Sequence, residues 1–175
     1  FQLTVIGYGQ PPRRWQDQPG LNWITLTEPQ GDLLAKLLGI LLLLLGRLWP
    51  NLYDTWYWQK APHNQALAAV IASGCQAIHA NDWETLPVAA MAVQKIGAWL
   101  VFDAHEYAPL EFENSWRWKL LHSPAISYFL QRYALLVDAS ITVAPLIAAR
   151  YNQEFNLNPI VVLNTPELKH SATHT

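Results

Sequence analysis

The sequence predicts an α/β domain of the Rossmann-like, three-layer kind, with a mostly parallel sheet and helices on both faces. Three observations predict it. Short apolar runs of strand length recur along the chain, helix-length segments lie between the later ones, and glycines and prolines mark where those segments stop and start. Strands that alternate with long helices imply right-handed crossovers, and such crossovers build parallel sheets.

Residues 1–8 read as a buried strand ending at Gly7-Tyr8-Gly9, followed by a Pro-rich polar loop over 10–20. A second strand is expected over 22–27. Four more apolar runs, 75–80, 98–103, 139–143 and 160–163, each follow a helix-like segment. The helix over 65–73 closes on Gly74 and that over 84–96 closes on Gly97, where a positive φ costs glycine little. Ser123-Pro124 opens a helix running to about 137, and Pro145 opens another, because proline in the first turn lacks only a donor that has no intrahelical partner. No internal repeat and no second domain are visible.

The chain has 175 residues, enough for one core and too few for two full-sized ones. It is 51% hydrophobic and 14% charged, which excludes a disordered chain and leaves fewer charges than an ordinary domain carries. A net charge of −2 without a basic run provides no electrostatic footprint for nucleic acid. The single Cys75 cannot form an internal disulfide; it reads as a buried thiol in a reducing, hence cytoplasmic, compartment. Starting at Phe1 with neither Met nor a charged leader, the sequence reads as a segment of something longer.

In an open parallel sheet, ligands gather beyond the carboxyl ends of the strands. That rule selects Gly7-Tyr8-Gly9, Glu28, residues 79–83, residues 103–107, Ala144 and Asn164-Thr165. Two of these ends are unusually polar: Asn81-Asp82-Trp83 and Asp103-Ala104-His105-Glu106. The second sets an imidazole beside two carboxylates. His105 could donate to a sugar hydroxyl or a phosphate oxygen, or it could simply tie down its loop through a backbone carbonyl. Trp83 could stack on a sugar ring or pack at the start of the following helix.

Other templates fail. The loop after Gly7-Tyr8-Gly9 is Pro-rich and polar, not the helix a dinucleotide loop requires. There is no phosphate-binding Gly-x4-Gly-Lys loop, no Asp-x-Asp pair and no close His/Cys cluster, so no metal is expected.

Residues 33–49 are the most apolar stretch, without a charge between Lys36 and Arg47. That core is too short to span a bilayer, for which about 20 apolar residues are needed. It reads either as a sheet-covering helix or as an interfacial one. Leu41, Leu44, Trp49, Trp56, Trp116 and Trp118 are the membrane-contact candidates, because tryptophan favours interfaces and the neighbouring Arg47, Arg117 and Lys119 would attract anionic lipid.

The stretch from Val101 to Glu106, with Ile78-His79-Ala80-Asn81-Asp82 before it and Ile141-Thr142-Val143-Ala144 and Val161-Val162-Leu163-Asn164-Thr165-Pro166 after it, resembles the amino-terminal domain of family 4 retaining glycosyltransferases of GT-B architecture. The likeness runs over 1–167, with 168–175 as a tail or the start of a linker. It implies a hexosyltransferase-type enzyme in which this domain holds the acceptor, lipid-linked in the membrane-docked reading, while a second domain binds the nucleotide sugar. His105 would then orient the donor sugar, Glu106, Asn81, Asp82 and Trp83 would hold the acceptor, and Asp103 and Asn164 would support them. No cofactor beyond the nucleotide-sugar co-substrate is implied. The sequence departs from the pattern in three ways: it lacks the first strand and Gly-rich loop, it contains no Glu-x7-Glu, and Ala144 stands where a Ser is common. The segment alone is therefore expected to be inactive. The alternative is a non-catalytic α/β module that binds a sugar, lipid or protein with the same loops.

Overall fold

The computed structural model describes residues 2–28 and 33–165; the expected tail at 168–175 lies outside them. The order of elements is β1 (Leu3–Gly7), β2 (Leu21–Thr25), α1 (Leu33–Leu45), α2 (Leu52–Trp58), α3 (Ala61–Ser73), β3 (Ala77–Asn81), α4 (Asp82–Ile96), β4 (Trp99–Ala104), α5 (Ser123–Tyr133), β5 (Ala139–Thr142), α6 (Pro145–Phe155) and β6 (Ile160–Val161). A π-helical turn, Trp118–His122, leads into α5. Every strand pairing among the described residues is parallel, in keeping with the mostly parallel sheet the sequence predicts, and the α/β architecture is consistent with a Rossmann-like three-layer fold.

The sheet is in two parts. β1 pairs with β2, while β3, β4, β5 and β6 lie side by side in chain order. Adjacent parallel strands joined by right-handed crossovers put α4, α5 and α6 on one face of the four-stranded part. Burial follows that geometry: Ile78, Ala80, Leu100, Phe102, Ala104, Ser140 and Thr142 are buried, whereas His79, Asn81 and Trp99 on the other face are exposed. α4 packs on β3, β4, α3 and α5, and its Leu86, Val88, Ala89, Ala90 and Ala92 form the centre of the core with Ile126, Phe129 and Leu130 of α5.

The punctuation works as its chemistry requires. Gly74 and Gly97 end α3 and α4 at φ of 56° and 69°. The apolar helix expected over 33–49 stops at Leu45 instead. A Cβ on Gly46 would come 2.3 Å from Cε1 of the buried Tyr53 ring, so the chain turns there against α2. Cys75 is only half-buried, at the margin of the core.

Candidate functional site

Parallel register sets Asn81 opposite Asp103 and His79 opposite Val101, so His79, Asn81 and Asp103 all point to the face away from α4. There Oδ2 of Asp103 lies 3.2 Å from Nε2 of His79 and 3.5 Å from Nε2 of His105. One carboxylate thus stands between two imidazoles. Asp103 is the sheltered member, its side chain 16% exposed, against 55% for His79 and 50% for His105.

Asp82 holds the other side of His105. Its Oδ1 accepts the His105 backbone N–H at 3.2 Å, and its Oδ2 lies 3.7 Å from Nδ1 of the ring. To do this Asp82 adopts φ of 58°, a left-handed conformation that aspartate visits and most residues avoid. Backbone strain of this kind gathers at functional sites.

The loop beyond β4 is fixed at four points. Thr142 Oγ1 donates to Ala104 O at 2.6 Å, Asp82 takes the His105 N–H, Tyr151 donates to Glu106 O at 3.0 Å, and the Ala108 N–H donates to Tyr151 Oη at 3.4 Å. Tyr151 belongs to α6 and is buried. The same loop is anchored by Tyr107, which donates to Glu154 and carries Arg150 over its ring at 4.2 Å; desolvation first, then Glu154, raises the Tyr107 pKa. The result is a loop whose backbone is held in place and whose His105 ring stands between two carboxylates on an open rim. It can donate to, or accept from, a group approaching from solvent.

Four of the residues selected from sequence meet here: His105, Asp103, Asp82 and, opposite Asp103, the exposed Asn81. The exposed side chain of Glu106 joins the same rim as an acidic neighbour. Together with desolvation, the Glu106 and Asp82 charges raise the Glu84 and Glu111 pKa values. Asn164 is exposed three residues past β6, and no hydrogen bond joins it to the cluster among the described residues.

Trp83 requires a correction. Of the two roles open to it, sugar stacking and packing at the start of the following helix, the structure shows the second and rules Trp83 out as an acceptor-binding residue: it is buried in the core with its ring against Trp56. Its place just after the strand end brought it into the candidate set, but the first turn of α4 aims it inward. His79 is among the strand-end residues the sequence selects, but its pairing with Asp103 is not legible there, because only the register of two strands separated by α4 brings them together.

No metal centre takes shape. Among the described residues no group of three or more His, Cys, Asp or Glu is arranged to hold an ion. A groove of about 510 Å³ lies between β1–β2 and the end of α3, but its lining, which includes Leu3, Thr4, Asn22 and Ser73, has no charged side chain. It also sits toward the amino ends of the strands, away from where parallel sheets gather ligands.

Fold and cluster together define a class: a parallel α/β domain with an imidazole clamped by carboxylates at its strand ends. Comparison adds no family to that class, since no family model matches the chain and none of the curated proteins matches it significantly.

Proposed function

We propose that this chain is the acceptor side of a retaining glycosyltransferase that moves a sugar from a nucleotide sugar to an acceptor hydroxyl. The observation that carries the reading is His105 held between Asp103 and Asp82 at the carboxyl ends of β3 and β4. In this reading His105 orients the donor sugar, and Asp82, Asn81 and Glu106 hold the acceptor hydroxyls from the same rim. The separation of the β1–β2 pair from the four-stranded sheet is compatible with this reading, because the resemblance implies a first strand and Gly-rich loop that the sequence lacks. Stabilisation of the departing diphosphate would come chiefly from the donor-binding domain, so the rim alone is half of an active site. The reaction would run at the cytoplasmic face of a membrane if the acceptor is lipid-linked.

The test is a screen of nucleotide-sugar donors with this chain joined to its donor-binding domain, reading donor consumption, followed by His105→Ala; the 175-residue chain alone is expected to give no turnover. Turnover with one donor and a loss of about a hundredfold or more in kcat/KM for His105→Ala is expected. An unchanged rate in that variant removes His105 from the mechanism. Absence of turnover with every donor, together with acceptor binding, supports the non-catalytic module instead.

A further inference from the structure

The bland account of the leucine-rich helix is that it covers a sheet, and the structure does not have it there. α1 packs on α2 and on the π-helical turn, and only Gly39 and Leu43 of its residues are buried. Leu33, Leu34, Leu37, Leu38, Ile40, Leu41 and Leu44 remain between 40% and 74% exposed. Leu48 and Trp49 continue the surface past the helix end. A chain in water rarely leaves so continuous an apolar face uncovered.

Three features say what covers it. The exposed positions run around most of the helix rather than along the narrow stripe that a groove in a partner protein reads. Between Leu33 and Tyr53 the sequence has Lys36 and Arg47 and no acidic residue. Nη1 of Arg47 donates to Leu120 O at 3.2 Å, which ties the end of α1 to the π-helical turn that contains Lys119 and directly follows the exposed Trp116 and the Arg117 over its ring. An apolar face edged by tryptophans and cations, without carboxylates in its own stretch, complements an anionic lipid surface. At 13 residues α1 is about 20 Å long, short of the roughly 30 Å needed to cross, so it lies along the interface.

We propose that α1, with Leu48, Trp49 and Trp116, docks this protein in the plane of an anionic membrane surface. Two of the aromatic residues expected at such a surface do not take part: Trp56 is buried beneath α1, and Trp118 is half-buried against Phe112 and His122. The docking face stands apart from the sugar-transfer reading and is tested without it.

The experiment is co-flotation of the full chain with vesicles of phosphatidylcholine alone and of phosphatidylcholine mixed with phosphatidylglycerol. Flotation with the anionic vesicles, weakened by salt, is expected to fall more than about tenfold in L37D/L41D, whose unchanged circular dichroism and melting temperature show an intact fold. Should that variant misfold, quenching of tryptophan fluorescence by brominated lipid, lost in W49F/W116F, reads the same contact. Absence of flotation with anionic vesicles, or flotation indifferent to L37D/L41D and W49F/W116F alike, overturns the proposal. So does concentration-dependent self-association that L37D/L41D abolishes without any vesicle binding, since a second copy would then be the occupant.

Discussion

The indole rings of Trp56 and Trp83 stack with centroids 6.5 Å apart and planes 12° from parallel, joining α2 to the first turn of α4. Lys60 caps the other partner, its ammonium 4.0 Å from the Trp56 ring centroid, and desolvation lowers its pKa. Removing the Trp83 ring leaves a cavity that this layer cannot close. Trp83→Ala is expected to cost about 3–5 kcal/mol in chemical denaturation. Trp83→Phe should cost much less, because Nε1 of Trp83 is buried without a partner among the described residues and its loss relieves a desolvated donor. A residue serving mainly to stack on substrate would show the reverse, a stable Ala variant with impaired binding.

Asp82 permits a comparison of two substitutions at one backbone conformation. At φ of 58° alanine keeps the left-handed cost and loses the bond to the His105 N–H, whereas glycine loses the bond but not the conformation. Asp82→Ala is therefore expected to be about 1 kcal/mol less stable than Asp82→Gly. Both should release the His105 loop, visible as faster amide exchange at His105.

How far the site was legible in sequence depends on whether its determinants are local. The strand ends at Asn81 and Ala104 follow from apolar runs meeting polar residues, and Gly74 and Gly97 announce their helix ends, so both halves of the rim could be found. His79 could not be joined to Asp103, because that contact depends on register across an intervening helix. Nor could the separation of β1 and β2 from the other four strands, which depends on which strands are neighbours. Trp56 and Trp83 misled for a different reason. An indole has the same chemistry in a core, at a lipid interface and under a sugar, and only the direction set by α2 and α4 decides among them.

Tyr151 is a buried anchor of the site, 46 residues from His105 in sequence and invisible to local pattern. Its hydroxyl donates to Glu106 O and accepts from the Ala108 N–H, and burial raises its pKa, so it stays a donor at ordinary pH. Tyr151→Phe keeps the ring contacts with Phe102 and Tyr107 but leaves two backbone groups without that partner. A loss of about 1–3 kcal/mol is expected in denaturant melts. Because the loop carries His105, turnover measured with the donor-binding domain present should fall in kcat more than in KM, which a purely structural loss would not produce in the folded fraction.

His63 is expected to make stability fall in acid. Its ring stacks on Tyr57 at 3.8 Å between centroids, and Nδ1 lies 2.9 Å from Tyr57 O, so the neutral ring donates there. Desolvation first, and then the charge of Lys60, lowers its pKa from 6.5 to about 4. Between those values the unfolded chain binds a proton that the folded chain refuses, so stability is complete above pH 6.5 and falls as pH drops toward 4. His122, lowered by the same two causes, adds a loss of the same sign. Glu84 and Glu111, whose pKa values are raised, act in the opposite direction, favouring the fold below their unfolded pKa and losing that contribution as pH rises. With His63 partly solvated, its share is about 1–2 kcal/mol. Urea melts from pH 7 to pH 4 should therefore slope less steeply in His63→Gln than in the unaltered protein, although the variant is less stable at neutral pH for want of the stacked ring. Parallel slopes would assign the acid loss to His122 and the paired carboxylates instead.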